Sequence, residues 1–393
     1  MKTKVVIIGA GPAGSVAGYE LARLGVDVTI IEMKNPIGVP VICGEFVPYY
    51  EELEDVGFKI DGLKEIYEKF IDKPDIVVNR TDTIELSIEN GKKFVFPYDG
   101  FIVDKDRMLQ EIVKSAQDNG AKVLIGRRAI SVNYDNGKYL TSVYLNDNIE
   151  IIESEYLVGA DGLRGIVAKS LNFNNGFTKM DEALTCNQKM INVNSNPRVI
   201  KMILTAKLAP GGYGWIIPKG NKEANVGIGI RGNVVDKYNV HKLQKLFISS
   251  LPELVDAKIS SPLLCKFIPV GGLAKEFIKD KAVLLGDAAG AVMPTNGGGI
   301  VPAMATGLIY AQEFIKDPTL NTFTKRMKRE IGDFLGFSLE YRKIADELLF
   351  DAQKLRRYTS YMSTNLMRDI VACRKNRFIL TLAPLIKLML RIV

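Results

Sequence analysis

The apolar positions along the chain change period several times, and each change marks an element. Val5 to Ile8 form a short unbroken apolar run, the pattern of a strand buried on both faces of a parallel sheet. Gly9, Gly11 and Gly14 follow as G-x-G-x-x-G where strand turns into helix, and a second apolar run, Val26 to Ile31, ends in Glu32. The next stretch, KNPIGVPVICGEFVPYY, is too rich in Pro and Gly for a regular element and predicts a long ordered loop. Residues 48–70 predict helix followed by irregular chain. Residues 75–103 alternate like strands around an Asn90-Gly91 turn. Asp104 is placed to cap a helix running to about Asp118 and stopped by Gly120. A strand, AKVLIG, and an antiparallel meander over 128–153 come next, the meander turning at Asn136-Gly137 and at Asn146-Asp147.

Tyr156 to Gly159 returns the chain to the first sheet and leads into a helix near Gly165. Long alternating segments over 183–231 predict a second sheet, residues 239–256 a helix, and SPLLCKFIPVGG a returning strand. Ala282 to Leu285 is another buried strand, ending in Gly286-Asp287. The turn Asn296-Gly297-Gly298-Gly299 opens a helix over about 300–315, and residues 320–393 read as helices. There is no internal repeat and no low-complexity segment.

The first strand–turn–helix carries a chemical implication. Gly9 permits the tight turn, Gly11 lets backbone approach a pyrophosphate, and Gly14 lets helix pack on strand. Ala13 and the helix N-terminus offer free N–H groups to phosphate, and Glu32 offers a carboxylate to a ribose. Three glycines and Pro12 interrupt the apolar run too early for a signal peptide or a membrane helix.

Composition narrows the classes. At 393 residues the chain has room for one large domain or two intertwined ones. With 47% apolar and 25% charged residues it is an ordinary globular sequence. A formal charge of +7 and the lack of any basic module argue against nucleic acid and for an anionic membrane surface. The four cysteines, Cys43, Cys186, Cys265 and Cys373, lie far apart with no C-x-x-C pair, so neither zinc nor an iron–sulfur cluster is indicated. The one histidine, His241, falls on a solvated helix and excludes histidine-dependent hydrolysis. No targeting segment precedes the first strand, which makes the cytoplasm the expected compartment.

Three separated motifs, GAGPAG with Glu32, GADGLRG over 159–165 and LLGDAAGAVMPTNGGGI over 284–300, resemble the FAD-dependent fold of the aromatic-ring hydroxylases. The expected fold class is therefore α/β, a Rossmann-like FAD-binding domain interrupted by a β-sheet substrate domain, with a helical C-terminal region. The resemblance implies an FAD domain from residues 1–75, 101–180 and 270–320, a substrate sheet from 76–100 and 181–269, and helices over 321–393. It implies FAD contacts from Asp161 and Gly162, from Asp287 to the ribityl hydroxyls, and from Gly298, Gly299 and Ile300 at a helix N-terminus facing the flavin ring. The loop PVICGEF (40–46) and the segment PGGYGWIIPKG (210–220) are similar to the geranylgeranyl reductase family, archaeal digeranylgeranylglycerophospholipid reductases above all. That family commonly has Arg in the stretch written here VDKDRML, where this chain offers Lys105 and Arg107. Hydroxylases often have Ser where this chain has Gly165.

The resemblance implies saturation of C=C bonds in isoprenoid lipid chains, which needs reduced flavin, an apolar channel and a placed acid. Cys43 and Glu45 in the CGE loop are the candidate catalytic pair, Cys43 as a proton donor, a shaping residue or a small buried hydrophobe, Glu45 as a catalytic or a loop-fixing group. Tyr213 and Trp215 face one side of a strand and, with Pro218, either line the substrate channel or pack on the core. Asn225, Gly227 and Gly229 leave a bare strand face for a ligand or for packed backbone. Electrons come from NAD(P)H or a reduced ferredoxin-like partner; no second dinucleotide fingerprint chooses between them. The other activities open to this sequence are an NAD(P)H-dependent flavin monooxygenase and a non-enzymatic flavin-bound lipid carrier or scaffold.

At the end of the chain, Arg377, Thr381, Pro384, Lys387 and Arg391 make one polar stripe on an otherwise apolar helix. The 16 residues from Phe378 are too few to span a bilayer, for which about 20 are needed. A helix lying in the interface at the inner face of the cell membrane is expected, the alternative being a helix docked on its own domain or a second subunit.

Overall fold

The computed structural model describes residues 1–145 and 148–392; the Asn146-Asp147 turn and the side chains of Phe378, Arg391 and Ile392 lie outside that description. Two sheets organise the chain. In the first, strands Ala282–Leu284, Asn148–Gly159, Lys2–Ile8, Val28–Glu32 and Lys122–Ile125 run parallel in that spatial order. The run predicted to be buried on both faces is so: Val5, Val6 and Ile7 are wholly inaccessible, and Ile7 stands between Ile30 and Val158. The strands Arg128–Asp135 and Lys138–Leu145 extend from Asn148–Gly159 as an antiparallel meander. Helices Pro12–Arg23 and Ile300–Lys316 cross over this sheet so closely that a Cβ on Gly307 would lie 2.3 Å from the Ala13 carbonyl oxygen.

The second sheet is mostly antiparallel. Its spatial order runs from Lys258–Ile259 through Glu182–Ile191, Glu223–Arg231, Tyr213–Gly220, Val199–Leu204, Val77–Ile88 and Lys93–Val103 to Phe46–Pro48. Leu264–Pro269 adds to Glu182–Ile191, and a disulfide joins Cys186 to Cys265 across that pair. The separation of 79 positions between the two cysteines hid this pairing from a reading of local spacing. Asp104 caps the helix Lys105–Asp118, accepting from the Arg107 amide.

One face of the second sheet is covered by the C-terminal helices Asp333–Ala345, Ala352–Ser360, Thr364–Val371 and Arg377–Ile392. Ile84, Leu86, Ile200 and Met202, alternate residues of adjacent strands, meet Leu355 and Met367 there. Burying each such side chain is worth roughly 1.5–3 kcal/mol, which holds the helices on the sheet. The last helix docks as well: Lys387 pairs with Glu340 at 3.0 Å, and Lys354 donates to the Leu390 carbonyl at 2.9 Å. The expected polar stripe is therefore not all turned outward, because Lys387 finds a carboxylate on the neighbouring helix. The outward face of this helix carries Leu385, Leu388 and Met389, each more than half exposed. No helix among the described residues is long and apolar enough to cross a membrane.

Candidate active site

One continuous cavity of about 870 Å³ runs from the first sheet to the C-terminal helices. Its first half is a cleft built largely from backbone. Gly9 has φ +101°, and a Cβ there would meet the Ala160 carbonyl oxygen at 2.4 Å; a Cβ on Gly14 would meet the Gly9 oxygen at 2.0 Å. Gly11 differs: a Cβ there would touch nothing within 4 Å, so this position faces open cleft. Ala13 borders the same space, at the first turn of a helix whose leading N–H groups have no partner within the helix. Glu32 is held at the rim by the amides of Ala10 (2.7 Å) and Lys34 (2.8 Å).

The other two motifs close the cleft. Gly162 (φ +85°) turns the chain beside Asp161, whose Oδ2 accepts from the Val167 amide at 3.0 Å and whose Oδ1 is buried without a partner. Burial pushes the Asp161 carboxyl up to about 6. A Cβ on Gly165 would lie 2.1 Å from the Asp161 carboxyl carbon, so a Ser here would displace the Asp161 side chain from its present position. Asp287 lines the cleft and takes the Lys266 ammonium at 2.7 Å, a contact that raises the lysine's pKa. Gly298, Gly299 and Ile300 border it at the start of the helix Ile300–Lys316. Of the two basic candidates, Lys105 lines the cavity. Arg107 does not: it is exposed and donates to the Asp75 carbonyl at 2.9 Å, because it lies two residues on around the first helical turn.

The open face at Gly11, the unpartnered Asp161 oxygen and the glycine turn at 297–299 fit a dinucleotide with a flavin at its inner end. Glu32, Asp161, Gly162, Asp287, Gly298 and Gly299 are the residues that would hold FAD.

The second half of the cavity is an apolar tunnel between the second sheet and the C-terminal helices, lined by Ile84, Ile200, Met202, Leu355, Ile379 and Ile386. At its junction with the cleft lie Cys43, Tyr213 and Trp215. The two aromatic rings pack edge to face, with centroids 5.8 Å apart, and the Tyr213 hydroxyl donates to the Asn296 carbonyl at 2.5 Å. Burial, with a smaller contribution from nearby Cys43, raises the Tyr213 phenol. Pro218 belongs on the other side. Strand alternation puts Ile217 with Tyr213 and Trp215 on the cavity wall, while Pro218 is buried beside Asn79, which donates to its carbonyl. The bare face at Gly227 is covered by Trp215, whose Cζ2 would lie 2.3 Å from an added Cβ.

Cys43 is half-buried, and its sulfur accepts from the Glu45 amide at 3.3 Å. Glu45 is fully buried at φ +64°, an uncommon conformation for a residue with a Cβ. Its carboxylate is saturated by Lys219, by Asn225 Nδ2 at 2.8 Å and by the Lys105 amide at 3.2 Å. These bonds anchor the loop through Glu45, the loop-fixing one of its two expected roles, while the residue still borders the cavity. Asp104 and Asp106 lie beside Glu45; burial, and then the hydrogen bond to Asp104, raise Asp106 to about 6. A local reading of the sequence missed Lys219, Asn187 and Lys266. The available signal for Lys219 and Lys266 was a lone charged residue in a mostly apolar strand; Asn187, in the polar-rich strand Glu182–Ile191, offered none. It also missed the buried cluster in which Arg231 meets Asp346 at 2.6 Å and Arg342 meets Asp181 at 3.1 Å, pinning the helix Asp333–Ala345 to the sheet.

The two-sheet architecture, the backbone-built cleft and its three motifs define an FAD-dependent oxidoreductase. Residues 3–198 match the family described as "Pyridine nucleotide-disulphide oxidoreductase", and residues 181–261 match "Geranylgeranyl reductase catalytic domain". A "Digeranylgeranylglycerophospholipid reductase 1" of Methanosphaera stadtmanae is 33% identical over 320 residues, covering 78% of this chain and 74% of its own. The "Digeranylgeranylglycerophospholipid reductase" of Methanocaldococcus jannaschii is 30% identical over 363 residues, 88% of each chain. A solved "geranylgeranyl bacteriochlorophyll reductase-like" protein from Thermoplasma acidophilum superposes with a TM-score of 0.80 at 23% identity, covering 98% of this chain and 99% of that one. The chain belongs to the geranylgeranyl reductase family of FAD-dependent oxidoreductases.

Proposed function

We propose that this enzyme saturates C=C bonds in the geranylgeranyl chains of a membrane glycerophospholipid or its precursor. The observation that carries the reading is the continuity of the cavity: a cleft suited to FAD opens directly into a tunnel walled by aliphatic side chains. The names of the archaeal relatives point to the same lipid class. Reduced FAD supplies hydride when bound. The chain's own part is to exclude water with Ile200, Met202, Leu355 and Ile386, and to hold the prenyl chain against Tyr213 and Trp215. Cys43, half-exposed at the junction, brings a thiol proton to the alkene or shapes its approach.

The lipid reaches the tunnel from a membrane surface. Leu385, Leu388 and Met389, on the outer face of the last helix, form the apolar contact with the inner leaflet of the cell membrane, and the inner face of that helix closes the tunnel. Electrons enter from NAD(P)H or from a reduced ferredoxin-like protein.

Anaerobic single turnover tests the reading. Dithionite-reduced enzyme mixed with a geranylgeranylated glycerolipid should reoxidise its flavin while the product gains two hydrogens per flavin. Reoxidation only after oxygen is admitted, with a gain of one oxygen, would make the protein a monooxygenase. A flavin that stays reduced until oxygen is admitted, with lipid unchanged under either gas, would leave a lipid carrier.

A further inference from the structure

The only tryptophan of the chain, Trp215, heads a series of side-chain hydrogen bonds leading from the cavity wall to the loop at Cys43. Its indole N–H donates to Asn187 Oδ1 at 3.0 Å, and Asn187 Nδ2 donates to Asn225 Oδ1 at 3.3 Å. Asn225 Nδ2 then donates both to Glu45 Oε2 at 2.8 Å and to the Gly44 carbonyl at 3.1 Å. Every member is buried, with exposures of 7%, 5%, 0% and 0% from Trp215 to Glu45. The direction of the series is forced. An indole N–H only donates and a carboxylate only accepts, so the two amides between them have one orientation that satisfies both ends.

Each end is also fixed by packing. Trp215 lies flat over Gly227, where no side chain fits, and Glu45 is locked by Lys219 and the Lys105 amide. Gly44 touches the same strand as Trp215, since a Cβ there would lie 2.5 Å from Ile217 Cδ1. The thiol side and the aromatic side of the junction are thus joined through two asparagines that come from different strands.

We infer that Asn187 is a positioning residue which, through Asn225, ties the orientation of the Trp215 indole to the Cys43-Gly44-Glu45 loop and so sets which carbon of the prenyl chain lies at the junction. The consequence for substrate rests on the proposed alkene reduction; the hydrogen-bond series does not. A displacement of about 1 Å at a reacting centre costs on the order of a hundredfold in rate, so a small rotation of one wall residue is enough to change which bond is reduced.

The single indole gives one ¹⁵N–¹H signal in the FAD-loaded enzyme, and it should exchange with solvent over minutes or slower. Exchange complete within the mixing time would overturn the inference. Glu45→Gln, three hydrogen bonds away, should move this signal; an unmoved signal would count against the series. Asn187→Leu should shift the Trp215 fluorescence, lower kcat for prenyl reduction roughly tenfold with KM moved less than about threefold, and alter which double bonds are saturated. In a Trp215→Phe background the same replacement should cost less than about twofold, because its target is gone. An equal loss in both backgrounds would reduce Asn187 to a structural residue. Should the leucine variant not fold, Asn187→Ser, too short to reach the indole, is read in the same way. A wild type that reduces no prenyl alkene would remove the proposed activity, and the exchange and fluorescence results would still decide the hydrogen-bond series.

Discussion

The two halves of the cavity are made of different materials. The cleft consists of backbone turns at Gly9, Gly162 and Gly297, where a side chain would collide with main chain or demand a left-handed conformation. The tunnel consists of side chains from several strands of the second sheet and from the C-terminal helices, spread between Ile84 and Ile386. A backbone-built site tolerates almost no change at its turns but specifies only the general shape of a dinucleotide. A site walled by side chains tolerates many substitutions, and each one resets what fits.

The junction, where the halves meet, should be the least tolerant point. Glu45→Ala leaves Lys219 buried without its partner and is expected to cost roughly 3–5 kcal/mol, measured by denaturant unfolding. A loss below about 1 kcal/mol would show that the loop anchors itself by other means. Within the cleft, Gly14→Ala should cost about 3 kcal/mol, since its Cβ meets the Gly9 carbonyl. Gly11→Ala, facing open space, should change stability by less than about 0.5 kcal/mol while weakening FAD retention. Equal stability losses for the two would contradict the distinction between a packing glycine and a ligand-facing one.

In the tunnel the effect is one of selectivity. Met202→Phe should leave FAD content and stability within about 1.5 kcal/mol of wild type. The ratio of turnover on geranylgeranyl over shorter prenyl chains should fall several-fold, and an unchanged ratio would place the chain elsewhere.

The smallest effect is a pH slope. The Asp161 carboxyl lies above its ordinary value of 3.8, at about 6, because burial disfavours its charge. Its stabilising contribution is therefore complete below pH 3.8 and is lost as pH rises through 6. Asp106 acts in the same direction, so the informative quantity is the difference from wild type. FAD-free Asp161→Asn should gain on the order of 1 kcal/mol at pH 7 and little at pH 4. A constant difference across that range would mean that Asp161 ionises normally.

The same contrast explains how much the sequence disclosed. The cleft was legible because its chemistry is local: G-x-G-x-x-G, GADGLRG and GDAAG each place backbone and ligand contacts within a few residues. Alternation also put Tyr213 and Trp215 on one face. Pro218, three residues from Trp215, falls on the opposite side of the strand by the same alternation. Arg107 was drawn in by proximity to Lys105, although two steps around a helix point it to solvent. Asn187, Asn225 and Glu45 come together from segments about 40 to 180 residues apart, as do Cys186 and Cys265 at a separation of 79. The pairing of strands in the second sheet makes the asparagine and cysteine neighbours, and the crossing of the 40–46 loop over that sheet brings in Glu45; no local period encodes either.

The central claim, that the prenyl chain occupies the tunnel while its reacting end meets the junction, is tested most directly by photolabelling. A geranylgeranyl glycerol ether with a diazirine on its terminal isoprene would be bound to the FAD-loaded enzyme, irradiated and mapped by peptide mass. Labels on Ile200, Met202, Leu355 or Ile386 are expected. Labels confined to Leu385, Leu388 and Met389, on the outer face of the last helix, would place the lipid on the protein rather than in it and contradict the account.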